Sequence, residues 1–306
     1  MIRILLLVIL ISSFTFGQEN SQKKNDKLPE VFGADVLSGS EVFRGSFAQD
    51  GRTFYFFKKI TSAEEDYRIF SSQLTNGKWS NPQQITLGGE YSDLYPSISK
   101  DGRRMVFVSY RPAPGDTSTK RNAYLWYVDK KGNEWGEPVF ITSVNKFGHY
   151  HSWAEIGFDG NLYFRQTTPD WRVNQTFVSR WNGKEYTAPL LVEEVERWKN
   201  WKSDVRIAGG SFSPDGKVVF LDTAARNPKT GKGASDIWVS FKTGNQWTEP
   251  KPLGADINGD GYDNFHFFSP NGKELYFVRD FNTFYKIKLK TALDSVKSST
   301  KHSQNR

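Results

Sequence analysis

Three of the four histidines stand in two short polar segments, His149-Tyr150-His151-Ser152-Trp153 and Tyr262-Asp263-Asn264-Phe265-His266. Imidazoles titrate near neutral pH and ligate divalent metals, so beside Asp93 and Asp263 they offer acid–base or metal chemistry. These residues share a phase. Counting back nine positions from successive Asp-Gly or Asn-Gly pairs lands on Asp93, His151 and Asp263, and on Val42 and Ile207 in two further copies. Arg44, Tyr95, Trp153 and Arg206 flank the same positions. Together with His149 and His266 they make one candidate ligand-binding site. Hydrogen bonding alone would also explain polar residues placed around a channel, and the sequence does not assign catalysis to any of them.

Other chemical signatures are weaker. Asp256-Ile257-Asn258-Gly259-Asp260-Gly261 matches the first half of a calcium loop, but Phe267 stands where the bidentate Glu belongs. The expectation is therefore no bound cofactor. Ca2+ near Asp256, Asn258 and Asp260, or a divalent metal at the channel mouth, remains the lesser alternative. Glu41, Asp93, Glu155, Asp204 and Asp263 could superficially supply the paired carboxylates of a glycosidase. Glu155, however, falls where the other copies have Ser46, Ser97, Ser211 and Phe267, well inside a strand. Trp198 and Trp201, near Arg206, would suit stacking on a sugar ring while pairing its carboxylate, and packing onto the ring explains them better. The chain has no Gly-x-Ser-x-Gly elbow, His-Glu-x-x-His pair or phosphate loop.

The elements that position these residues repeat. Asp50-Gly51, Asp101-Gly102, Asp159-Gly160, Asp215-Gly216 and Asn271-Gly272 recur at spacings of 51 to 58 residues, the signature of one supersecondary unit used five times. In the fourth unit, Gly210–Ser213 reads as an inner strand and Pro214–Lys217 as a tight turn. Val218–Leu221 and Asp236–Phe241 follow as strands, and Trp247-Thr248-Glu249-Pro250 leads into an outer edge strand. Trp79–Pro82, Trp135–Pro138 and Tyr186–Pro189 repeat that last element. The fifth unit lacks it, and the orphan segment Leu28-Pro29-Glu30-Val31-Phe32 near the N-terminus resembles Glu137–Phe140. The reading is all-β: a five-bladed β-propeller of four-stranded antiparallel blades, the last blade closed by an N-terminal strand.

The stretch Phe212-Ser213-Pro214-Asp215-Gly216-Lys217-Val218-Val219-Phe220 resembles the TolB-like, WD-like propeller repeat of exported, Bacteroidetes-type bacterial proteins. The resemblance covers most of residues 28–290 and weakens in the third copy, where Phe158 replaces Pro. It implies a propeller and export and leaves the activity open.

Residues 1–17 read as a signal peptide, with Arg3 ahead of the apolar run Ile4–Ile11, and 18–27 as a disordered linker. The propeller spans 28–290, and 291–306 is a polar tail. The apolar run is too short to span a bilayer, so the mature chain should carry no membrane span. With no Cys there are no disulfides, which suits a bacterial periplasm or secretion. A net charge of +7 favours an acidic glycan, and no nucleic-acid motif is present. The expected protein is an exported monomer, non-enzymatic, binding a ligand or protein partner where the segments before the inner strands converge. The alternative is a carbohydrate-active lyase or hydrolase on acidic polysaccharide, with His151, Arg206 and His266 around one sugar.

Overall fold

The computed structural model describes residues 27–39, 41–62, 66–117, 122–145, 150–168, 174–198, 205–226 and 233–302, the last six by backbone alone. Among these residues the chain forms five small antiparallel sheets arranged as a five-bladed propeller. The inner strands are Val42–Phe47, Asp93–Ile98, Tyr150–Ile156, Arg206–Phe212 and Asp263–Phe268, for blades 1 to 5 in order. Each pairs with a second strand (Thr53–Lys59, Arg104–Ser109, Leu162–Thr167, Val218–Arg226 and Glu274–Arg279), which pairs with a third.

Turn chemistry sets this register. In every copy the side chain of the Asp or Asn accepts the backbone N–H two residues on, at 2.8 to 3.1 Å. The glycine between them has a φ of 65° to 80°, a left-handed conformation that costs other residues energy. Large aromatic and aliphatic side chains of the second strands then fill the space between sheets. Phe54, Phe56, Phe107, Phe164, Phe220 and Phe277 are all fully buried.

Blade 5 is completed by the N-terminus, as the orphan segment implied. Glu30 pairs with Lys286 and Val31 with Tyr285, and the Phe32 N–H donates to Phe284 O at 2.7 Å. The Phe32 ring lies 5.0 to 5.9 Å from those of Phe47, Phe54, Trp79 and Tyr276, so it wedges blade 5 against blade 1.

One element differs from expectation, and a second shows the role of its loop. Where a polar tail was read from 291, Leu289–His302 is a helix, because Ala292 and Val296 give it an apolar side that packs with Leu253 and Ile257. The calcium-like loop is a strand lock. The Asn258 side chain accepts Ile237 N–H at 2.9 Å and donates to Ile237 O and Leu253 O at 2.9 and 3.1 Å. Asn145 makes the same three bonds to Leu125 and Ile141. Among the described residues no helix is long and apolar enough to cross a membrane, and no group of three or more His, Cys, Asp or Glu side chains is placed to hold a metal ion.

Candidate functional site

All five inner strands slip register between nine and five positions before the turn glycine, skipping two residues in blades 1, 2 and 5 and one in blades 3 and 4, so the count from the glycines is what aligns them. The outermost level holds Val42, Asp93, His151, Ile207 and Asp263, as the count from the glycines implied. These side chains do not converge on one site. Asp93 is paired with Arg111 at 3.1 and 3.2 Å, and Asp263 with Arg279 Nε at 2.7 Å and Gly259 N–H at 2.6 Å. Burial pushes both carboxyls above their ordinary range, and the arginines pull them back. The buried His151 ring lies 3.1 Å through Nδ1 from Ala123 O and packs on Phe164. Arg206 is exposed at the start of its strand, and His149 lies outside the described residues. The picture of His151, Arg206 and His266 around one sugar is thus replaced by three separate settings, because blade-to-blade packing turns His151 into the seam.

The next level does converge. Arg44, Tyr95, Trp153 and Phe265 point to the ring axis. Contacts between blades that share no edge demonstrate it: the Arg44 guanidinium lies 5.1 Å from the Trp153 ring, and the Tyr95 and Phe265 rings are 6.3 Å apart. Tyr95 and Phe265 have φ of 53° and 54°, a strained conformation for an aromatic residue, held by the bulge that aims them inward. Blade 4 contributes only Gly209 at this level, and a Cβ there would meet nothing within 4 Å. One side of the axial ring is therefore open.

One level deeper, Ser46, Ser97, Glu155, Ser211 and Phe267 are equivalent. Ser46 and Ser97 each accept a backbone N–H from the following blade, Ile98 at 3.1 Å and Ile156 at 2.8 Å. Glu155 instead reaches across the axis and accepts a charge-assisted bond from Arg44 Nη2. Burial raises the Glu155 carboxyl above the usual range, and the charge of Arg44 opposes that rise. Arg165, buried beside this cluster, donates to Asn174 and to Ile207 O, and burial lowers its guanidinium to about 10. Buried Arg44 Nη1 has no hydrogen-bond partner.

Ser211 departs from its repeat in another way. Its hydroxyl lies 2.6 Å from His266 Nε2, while His266 Nδ1 lies 2.6 Å from Asp222 Oδ1. A carboxylate can only accept, so Nδ1 carries a proton, and in the tautomer whose Nε2 is bare the Ser211 hydroxyl donates to it. All three side chains are buried.

Two cavities meet at Glu155. One, of about 120 Å³, has Arg44 and Glu155 together with Ser97, Phe47, Phe267 and Lys100 in its walls. The other, of about 340 Å³, is a cleft between blades 3 and 4 bordered by Glu155, Ser211, Tyr163, Phe212 and Trp247. Both lie toward the Asp-Gly turns, since Ser269-Pro270 and Asp159 also line them. The turn end thus holds two cavities that reach the axial charges. Arg165, Ser211 and Asp222 escaped the sequence reading as site residues, and Glu155 was weighed there as a carboxylate and set aside. The one available signal was Glu155 breaking a row of serines.

No protein-family model matches this chain, and no curated protein matches it. Among solved structures it is similar to BT0996 in its RGII complex, at 10% identity and a TM-score of 0.52, over 86% of this chain and 92% of that protein. A glycoside hydrolase aligns at 11% identity and a TM-score of 0.49, over 85% and 89% of the two proteins. A Mycobacterium tuberculosis puromycin-hydrolyzing peptidase aligns at 10% identity and a TM-score of 0.41, over 70% of this chain, which spans 30% of that protein's length. At 10% identity the likeness to BT0996 bears on the fold alone; the sheets themselves define a β-propeller, and the TolB-like family specifically is not shown.

Proposed function

We propose that this chain is an exported propeller that binds a small acidic sugar, of the uronate class, in its axial channel. The observation that carries the reading is Arg44, a buried guanidinium whose Nη1 is unpartnered at the inner end of a cavity. A buried donor left without an acceptor costs roughly 1–3 kcal/mol, which a ligand carboxylate would recover. Lys100 adds positive charge at the same cavity, and Phe47 and Phe267 supply faces for the apolar side of a sugar ring. The site is axial, not on the loops where the segments before the inner strands end. That the similar BT0996 fold was solved as an RGII complex is consistent with ligand recognition by such a ring.

Calorimetric titration of the mature chain with glucuronate and galacturonate, with glucose as the neutral control, tests this. A uronate should bind at least about tenfold tighter than glucose, and Arg44→Gln should abolish the difference. Lys100→Ala, at an exposed rim position, should weaken it in a variant with no core change. Equal affinity for charged and neutral sugars, or uronate binding indifferent to both substitutions, would overturn the reading.

The sequence's alternative, a carbohydrate-active enzyme on acidic polysaccharide, has its own support. Glu155 and Asp222 are buried carboxylates whose charges act on one another at the same centre. Release of reducing ends from a uronate-containing polysaccharide, lost in Glu155→Gln, would favour it over binding alone.

A further inference from the structure

Three positions, of which Ser211 borders the cleft between blades 3 and 4, depart from the propeller's repeat, and their side chains join into one chain of hydrogen bonds. The first is Ser211. By the rule that Ser46 and Ser97 follow, it would accept the Phe268 N–H of the next blade, yet its hydroxyl is 2.6 Å from His266 Nε2. The second is His266, whose equivalents in the aligned inner strands are Gly45, Pro96, Ala154 and Gly210. The packing there calls for a small residue, so the imidazole is an added functional group. The third is Asp222, which pairs with Gly209; its equivalents in the second strands are Phe57, Val108, Arg165 and Val278. A carboxylate at a position that three of the other blades fill with an apolar side chain is costly to bury unless it is hydrogen-bonded, and here His266 Nδ1 lies 2.6 Å from it.

We propose that Ser211, His266 and Asp222 form a nucleophilic hydrolase centre for a small carboxylic ester that enters by the cleft between blades 3 and 4. The hydroxyl and imidazole are within transfer distance, the carboxylate fixes the imidazole tautomer, and Ser211 borders the cleft. Ser211 Oγ attacks the acyl carbon while its proton passes to His266 Nε2. The ester C–O bond then breaks, and the departing alkoxide takes that proton and leaves as the alcohol. A water attacks the acyl-Ser211, giving one proton to His266. The Ser211 Oγ–acyl bond breaks, Oγ regains its proton from His266, and the carboxylic acid is released. Asp222 is a positioning residue, holding Nδ1–H throughout. This inference stands without the uronate reading, since a neutral ester would serve.

A fluorophosphonate probe, with intact-mass and peptide analysis, tests it on the mature chain. The expected result is one adduct on Ser211, a rate about 100-fold lower in His266→Asn, and a shifted pH profile in Asp222→Asn. p-Nitrophenyl acetate turnover should fall in parallel. Because the chain has no cysteine, Ser211→Cys introduces a unique thiol. Its alkylation by iodoacetamide should already be fast near neutral pH and should slow when His266→Asn is added. No adduct on Ser211 in a protein of native melting behaviour overturns the proposal. So does a Ser211→Cys thiol whose alkylation follows the ordinary titration near about pH 8.5. Uronate titration of Ser211→Ala keeps the two readings apart, because binding should survive there while acylation is lost.

Discussion

Arg44 on blade 1 and Glu155 on blade 3 are joined side chain to side chain across the axis of the ring, between blades that share no edge. The pair works as a strut at the level where the two cavities meet. It also sets the charge at the channel floor, because Glu155 is held against a burial penalty by Arg44. Removing one partner is therefore worse than removing both.

Arg44→Gln should lower unfolding free energy by about 3 kcal/mol near about pH 7.5, and Arg44→Gln/Glu155→Gln by much less. The sign with pH follows from the raised carboxyl. Above its folded pKa the group is charged and weighs against folding, and as pH falls through that value it takes a proton and the penalty disappears. The Arg44→Gln deficit should thus shrink in acid. Urea unfolding of the three proteins at neutral and acidic pH checks this; a double variant as unstable as the single one would show that the pair is not coupled.

Phe32 should be the costliest single truncation outside the blade cores. Its ring touches rings of blades 5 and 1, and the strand it ends supplies the last hydrogen bonds of blade 5. Phe32→Ala should cost about 4 kcal/mol. Denaturant unfolding measures it, and a loss below about 1 kcal/mol would mean that the N-terminal strand does not hold the ring closed.

Asp236 carries a pH-dependent liability. Burial, then the neighbouring Asp263, pushes its carboxyl up to about 6. Its neutral form favours the fold, so that contribution is fully present in acid and is lost as pH rises through about 6. Asp236→Asn should stabilise the protein by about 1 kcal/mol at neutral pH, after allowing for solvent screening, and should do nothing in acid. Parallel thermal melts on both sides of that window decide it, and equal effects at both would be the wrong outcome.

Asn258 is predicted to act through backbone bonds and not through an ion. Asn258→Ala removes three bonds to the neighbouring strand and loop and should cost about 2 kcal/mol. The same loss should appear with a calcium chelator present. A deficit seen only when calcium is supplied would restore the calcium-loop reading.

Much of the ring was legible beforehand because its information is local. An Asp two residues before a backbone N–H, followed by a glycine with left-handed φ, makes the same turn wherever it occurs, and five copies count five blades. Phe32 was found by the same logic, as a strand pattern without a partner matched to a blade without an edge. The axial residues Arg44, Tyr95 and Trp153 were also readable from their phase. His151 was misplaced for a concrete reason: spacing assigns a residue to a level in the channel, and the bulge decides whether it faces the axis or a seam. Asp93 and Asp263 occupy the expected level, but Arg111 and Arg279 claim them.

The sequence by itself determined the unit, the number of units and the way the ring closes, since turns and strand patterns are set by neighbours along the chain. Tertiary structure alone decided the chemistry. Arg44 meets Glu155 over a separation of 111 residues, His266 meets Ser211 over 55, and His266 meets Asp222 over 44. Nothing local relates those pairs. Closure of the ring brings inner strands from different repeats within hydrogen-bonding distance of one axis, and there a serine that breaks no local pattern acquires a histidine and a carboxylate.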